Sequence, residues 1–304
     1  MHLHPGDWDE IPPATQSFLA SRLPFPINLD APSAARDAIS VSGIVAEMDK
    51  AGLSGSVLFA VYAPRTVGIA TNELVRDDLA HDPQRLFGLA SLRVDAWQTE
   101  RDNQLVRLRQ ALAWPGMVGI KLAHAHQHFR MDDPDYFGIY QVATEMGKPV
   151  YLHTGTSPFP GTSQEPAETD PAYLEPAIAA FPGTRFILGH LGYDFSNQRH
   201  AGLETCIALA GKYSNVYLEP SALGSKGSDP TGENLTTAMR RMREAGLVDR
   251  IIYGSDGPQS PGFVKDYLQR TVRAMHLGGY TSEEAAAVLS GNFARVFGAT
   301  VQTL

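Results

Sequence analysis

The 304-residue chain has one cysteine, Cys206, so no internal disulfide can form, which suits a reducing cytoplasm. Within "LETCIALAG" that thiol reads as a small buried apolar residue. No run of basic residues occurs: Lys and Arg number 25 against 33 Asp and Glu, a formal net charge of -8. Nucleic acid is therefore not an expected partner, because phosphate contacts need clustered cations. No apolar stretch is long enough to span a bilayer, and the N-terminus lacks a basic-then-apolar signal profile. Neither GxGxxG nor GxxxxGK[ST] is present, which removes the phosphate turn that an open nucleotide-binding sheet carries after an early strand. No low-complexity linker interrupts the chain, so residues 1–304 are read as one domain in the cytoplasm.

What is present is an alternation. Short runs rich in Val, Ile, Leu and Tyr recur at 55–62, 85–92, 117–123, 149–155, 185–192, 215–221 and 250–258, each bounded by Gly or Pro as buried strands are. Between them the pattern predicts helices at 33–52, 66–80, 99–113, 134–147, 170–181, 200–213, 231–246, 262–276 and 282–297, the first ending on Gly52 as a C′ residue. Seven strands alternating with helices imply a parallel sheet. A very short strand at "MHLH" makes eight, the number that closes a (β/α)8 barrel. Three long segments follow proposed strand ends: 5–32, 155–169 and 222–230, all rich in Pro, Gly or polar residues. In a barrel that is the face where active sites and their lids are built.

The ionisable residues fall at the same strand ends. His2 and His4 end strand one, Lys121 lies in strand four, His153 ends strand five, His190 ends strand six and Asp256 ends strand eight. Each sits within or just after an apolar run, where an ionisable group is costly unless paired or metal-bound. Residues i and i+2 of a strand face the same side, so His2 and His4 can address one centre, on which His153 and Asp256 can converge. Imidazole and carboxylate together suit Zn²⁺ with a position left open for water, whose pKa such an ion lowers toward neutrality. His190 is placed to move a proton.

The order HxH, "YLHTG", "FILGHLG", "YLEPS", "RIIYGSDGP" and a closing "GNFARVFG" resembles the amidohydrolase superfamily over essentially the whole chain. Within it the chain is similar to the branch that includes aminocarboxymuconate-semialdehyde decarboxylase and several lactone hydrolases. The resemblance implies a distorted (β/α)8 TIM barrel, with a truncated first strand here because only Met1 precedes HxH, unless the natural start lies upstream. It implies His2, His4, His153 and Asp256 as ligands of a divalent metal, usually zinc, and His190 as the base that activates water or contacts substrate. It also implies a homodimer and gives Asn292 and Arg295 a structural place in the closing helix. Some relatives bridge two metals with a carbamylated lysine at the end of strand four. Here "GIKL" resembles the mononuclear branch, so one zinc per chain is expected and Lys121 pairs with an Asp or a substrate carboxylate.

Further candidates lie around the predicted mouth. "HAHQH" sets His124, His126 and His128 just past strand four, as substrate contacts or a second metal site. Arg65, in "VYAPRT", is placed to clamp a carboxylate. Glu219 is a candidate to orient a ligand from behind, and Trp8, Phe18, Phe25 and Phe159 are candidates to line an apolar pocket. The expected function is metal-dependent hydrolysis of a lactone, ester or amide of a small organic acid derivative. Non-oxidative decarboxylation of a small unsaturated or aromatic carboxylic acid is the alternative, and a non-catalytic binding barrel a third reading.

Overall fold

The computed structural model describes residues 2–23 and 25–298; Met1 and the end of the proposed 1–304 domain lie outside them. Its strands are β1 (His2–Leu3), β2 (Ser56–Phe59), β3 (Val61–Ala63), β4 (Gly68–Ala70), β5 (Leu86–Ala90), β6 (Met117–Leu122), β7 (Val150–Gly155), β8 (Phe186–Asp194), β9 (Arg199–His200) and β10 (Val216–Glu219). One parallel sheet runs β1-β2-β5-β6-β7-β8-β10, with β9 antiparallel on the end of β8. Strands β2, β7 and β8 are buried at every residue. That is why they read as unbroken apolar runs: a parallel sheet covered on both faces has no polar side.

The eighth position is filled by the segment 251–257, which touches the sheet only through single bridges, Leu218 to Ile251 and Leu3 to Gly257. The expected strand at 250–258 is thus an extended crossing without a ladder. Asp256 explains part of this: its φ of 67° is left-handed, and a strand cannot continue through it. The bridges still close the ring, since the Ile252 amide donates to the Leu218 carbonyl and the Asp256 amide to that of His2. The short β1 is therefore held from both sides.

Inside the barrel Val57, Phe59, Leu89, Tyr151, Ile187 and Ile252 pack together, closed below by Phe293 and Val296. Asn292, buried among them, donates to the carbonyls of Val248 and Ile251 and so anchors the closing segment. A larger apolar layer lies between the strands and the surrounding helices. No helix among the described residues is long and apolar enough to cross a membrane.

The main departures from the sequence expectation lie above the barrel. The segment 5–32 is largely helical: it carries α1 (Pro13–Arg22) and leads into α2 (Ala31–Ile39) and α3 (Val41–Ala51). The helix expected over 33–52 breaks at Ser40, whose extended backbone and hydroxyl cap α3 by accepting from the Gly43 amide. Gly43 is needed there, because a Cβ would run into the Asp37 carbonyl. The helix expected at 66–80 begins only at Asn72, since residues 61–70 turn back on themselves as the β3–β4 hairpin.

Candidate active site

At the C-terminal end of the barrel three side chains meet. His2 Nε2 lies 2.8 Å from His4 Nε2, and Asp256 Oδ1 lies 3.1 Å and 3.2 Å from those two atoms. Among the described residues this is the one set of three or more His, Cys, Asp or Glu side chains that converges in this way. The bridge from Leu3 to Gly257 and the His2–Asp256 backbone bond bring the two chain segments together.

A second set of bonds fixes His2. Its Nδ1 donates to Glu219 Oε2 at 3.1 Å, and the same oxygen accepts from Tyr151 Oη at 2.5 Å and Ser221 Oγ at 2.7 Å. Burial would raise the pKa of Glu219, but the charge and hydrogen bond of His2, with the two hydroxyls, outweigh it and hold the carboxyl at about 2. An ionised Glu219 can only accept, so the proton of His2 sits on Nδ1 and Nε2 presents its lone pair. Room for this network comes from glycines: a Cβ on Gly189 would occupy the Tyr151 hydroxyl, and one on Gly254 the Glu219 carboxylate. Tyr151 and Ser221 carry a signal in the sequence that went unread, since each is two residues along a strand or strand end from His153 or Glu219 and so shares its face.

Asp256 is held well below the ordinary carboxylate range: burial opposes this, while His190, His2 and His4 favour the anion. The lone pair of His2 and the anionic oxygen of Asp256 therefore face His4 Nε2, which carries at most one proton for two acceptors. A cation relieves that crowding, and the 2.8–3.2 Å spacings approach the separation of about 3.3 Å between donors on one tetrahedral ion with bonds of about 2.0 Å. The donor set fits a divalent metal.

His153 faces the same cavity but stands off from the three. Its Nε2 is buried and has no hydrogen-bond partner among the described residues, which suits an imidazole placed to ligate a metal. Burial first, then the neighbouring His190 and His126, push its pKa well below the usual value. His190, with its ring centroid 4.4 Å from that of His153, directs Nδ1 to the Ser221 carbonyl at 3.1 Å. A carbonyl can only accept, so Nδ1 holds the proton and Nε2 the lone pair. Burial lowers the His190 pKa, against the pull of Asp256. His190 and Asp256 both adopt left-handed backbone, φ 63° and 67°, a strain of a kind that clusters at functional positions.

Lys121 has no Asp partner among the described residues, against the first of its two expected roles; it lines the cavity, where a substrate carboxylate could meet it, and its ammonium lies 4.2 Å and 5.1 Å from the ring centroids of Tyr151 and Phe59. Burial draws its pKa down to about 8, with Asp256 and Glu219 opposing. Among the described residues "HAHQH" forms no second cluster. It is a helical turn, His124–Gln127, and residues two apart on a helix point about 200° apart. His124 turns into the core against Phe129 with both nitrogens unpartnered, His126 lines the cavity with Nδ1 3.1 Å from Thr66 Oγ1, and His128 meets the Gly161 carbonyl. Arg65 is exposed at the tip of the β3–β4 hairpin and is not part of the cavity wall; nor is Phe25, 78% exposed.

The cavity above the cluster measures about 470 Å³. Trp8, Phe18 and Phe159 line it as expected, and Arg22, Phe195 and Lys226 line it unforeseen.

A family model described as "Amidohydrolase" matches residues 1–299. Among curated proteins, Protein fluG of Emericella nidulans is 28% identical over 150 residues, 47% of this chain; the match spans 16% of that protein's length. Among solved structures, an uncharacterised TIM-barrel protein of Bordetella bronchiseptica covers 98% of this chain and 99% of its own, at 16% identity and a TM-score of 0.71. A candidate 2-pyrone-4,6-dicarboxylic acid hydrolase of Pseudomonas putida covers 100% and 97% at 18% identity, TM-score 0.63. The 5-carboxyvanillate decarboxylase of Novosphingobium aromaticivorans, complexed with manganese and a nitrobenzoic acid, covers 98% and 94% at 16% identity, TM-score 0.63. At such identities these structures speak for a shared α/β barrel fold.

Proposed function

Because the chain belongs to the amidohydrolase family, we propose that it is a divalent-metal-dependent hydrolase of a lactone, ester or amide of a small organic acid derivative. The observation that carries this reading is the meeting of His2, His4 and Asp256 within 3.2 Å at the floor of a cavity. Those three and His153 would hold the ion, and the mixture of nitrogen and oxygen donors favours zinc. When bound, such an ion supplies Lewis acidity, polarising a carbonyl oxygen and acidifying water beside it.

The chain's own groups account for the protons. Asp256 gives Oδ1 to the cluster, while Oδ2, which accepts from Gln259 Nε2 at 3.3 Å, remains available to take a proton from water. His190 Nε2, whose lone pair is free, is the second station: it takes up the proton that Asp256 has drawn from water and delivers it to the leaving oxygen or nitrogen as the acyl bond breaks. Glu219 keeps His2 in the tautomer that points its lone pair at the centre. His126 and the rings above it orient the substrate and keep bulk water out.

The second reading is non-oxidative decarboxylation of an unsaturated or aromatic acid, favoured by the ring-lined upper wall of the cavity. It comes second because Asp256 and His190 form a complete set for activating water, whereas Arg65 stands outside the cavity. Turnover in ¹⁸O-labelled water separates the two. Hydrolysis puts one heavy oxygen into the product acid; release of CO₂, with a solvent-derived proton on carbon and no label in the remaining product, reverses the order.

A further inference from the structure

One wall of the cavity is a file of rings running outward from the barrel. His153 meets His126 at 5.0 Å between centroids, His126 meets Phe159 at 6.0 Å, and Phe159 meets Phe18 at 5.2 Å. At the outer end the Arg22 guanidinium lies 4.5 Å from the centroid of Phe18. Arg22 is the last residue of α1 and lines the cavity, and among the described residues its guanidinium has no carboxylate partner.

The other cations of the cavity are placed differently, one paired and one at the floor. Lys226 pairs with Asp266 at 2.7 Å, and Lys121 sits over Tyr151 and Phe59 beside the cluster. Asp7, an acidic residue on the same outer wall, has its carboxylate engaged as the cap of the turn at Trp8, accepting from the Asp9 amide. An uncompensated guanidinium stacked on a ring offers a planar fork to an oxyanion, and the stacking holds the fork in place. At about 470 Å³ the cavity is in the range of sites for drug-sized ligands, roomier than the reacting group at the floor requires.

We infer that the substrate is an elongated aromatic or conjugated acid that lies along this file of rings and places a second, distal carboxylate or similar oxyanion on Arg22. Its reacting group then rests at His2, His4 and Asp256, and in this the inference depends on the metal-centred function proposed above. Arg22 selects the substrate and takes no part in bond making.

The test is isothermal titration of zinc-loaded protein with two probes long enough to follow the file of rings, p-terphenyl-4,4″-dicarboxylate and p-terphenyl-4-carboxylate. The diacid should bind about ten- to a hundredfold more tightly than the monoacid, as one charge-assisted contact predicts. Arg22→Ala should abolish that advantage and leave the monoacid within about twofold of its original affinity, while Arg22→Glu should reverse the preference. Arg22→Lys, which keeps the charge and loses the fork, should retain part of the advantage; this excludes a displaced helix as the cause of the Ala result. No diacid advantage in the unaltered protein, or an equal loss of both probes in Arg22→Ala, overturns the inference. Repeating the titration after metal removal isolates the floor. Weaker binding of both acids supports the metal-centred reading. Affinities that do not change on stripping remove that reading and with it the proposed orientation, while the Arg22 contrast still stands or falls on its own.

Discussion

At the floor of the cavity His153 and His190 stand on strands paired on both sides, and even the two-residue β1 that carries His2 is bonded to β2 and to residues 256 and 257. The roof is assembled differently. Residues 5–39, the β3–β4 hairpin and the loop after β7 are joined by scattered contacts: the Thr15 hydroxyl on the Thr66 carbonyl, Gln16 on the Trp8 carbonyl, His128 on the Gly161 carbonyl. Ladder bonds, and at Asp256 single bridges to β1 and β10, hold the floor groups to a fixed spacing, which the shared binding of one ion demands. Short helices and loops can change without disturbing that spacing, so the roof is where substrate selection is expected to reside.

The hardest way to break this division is to alter the floor without altering its shape. Asp256→Asn keeps an oxygen toward His2 and His4 and loses the proton acceptor. Activity should fall about a thousandfold, while elemental analysis finds a much smaller loss of metal. Activity that falls only in step with metal occupancy would mean Asp256 is a ligand and nothing more.

A gentler change tests how the floor is held. Glu219→Gln retains the volume and weakens the grip on the His2 Nδ1 proton. Metal affinity, measured by chelator competition, should drop about ten- to a hundredfold, with folding retained, because Tyr151 and Ser221 still find an oxygen. Unchanged affinity would reduce Glu219 to a buried strand-end residue.

The same division governs what the sequence made readable. Floor residues announce themselves because a histidine or aspartate inside an apolar run contradicts its surroundings, and strand periodicity then says which way it points. The roof carries no such contradiction. Phe18 and Leu19 of α1 face the cavity and not the core, so the helix lacks the apolar stripe by which a helix is recognised. Arg65 follows an apolar run as the floor residues do, but the hairpin of residues 61–70 carries it to the surface. The three imidazoles of "HAHQH" part for a related reason. On an extended loop all three imidazoles could face the mouth, whereas one turn of helix sends His124 into the core and leaves His126 at the cavity. Helix or loop is the one distinction that four residues of sequence cannot make.

The smallest expected effect probes the seam between the two regions. Thr66 is fully buried, and its two polar groups serve different neighbours. Its carbonyl accepts from Thr15 in the roof, and its hydroxyl lies 3.1 Å from His126 Nδ1. Thr66→Val removes the hydroxyl and leaves the carbonyl, so α1 should stay docked while His126 loses its partner. An unpaired buried nitrogen costs about 1–3 kcal/mol, which thermal unfolding should register. If His126 orients substrate, kcat/KM should fall by up to about tenfold, chiefly through KM. Metal affinity should not move, because neither Thr66 nor His126 belongs to the cluster at the floor. A parallel fall in metal affinity would show that strain in the roof reaches His153, whose ring His126 touches at 5.0 Å, and that roof and floor are one mechanical unit.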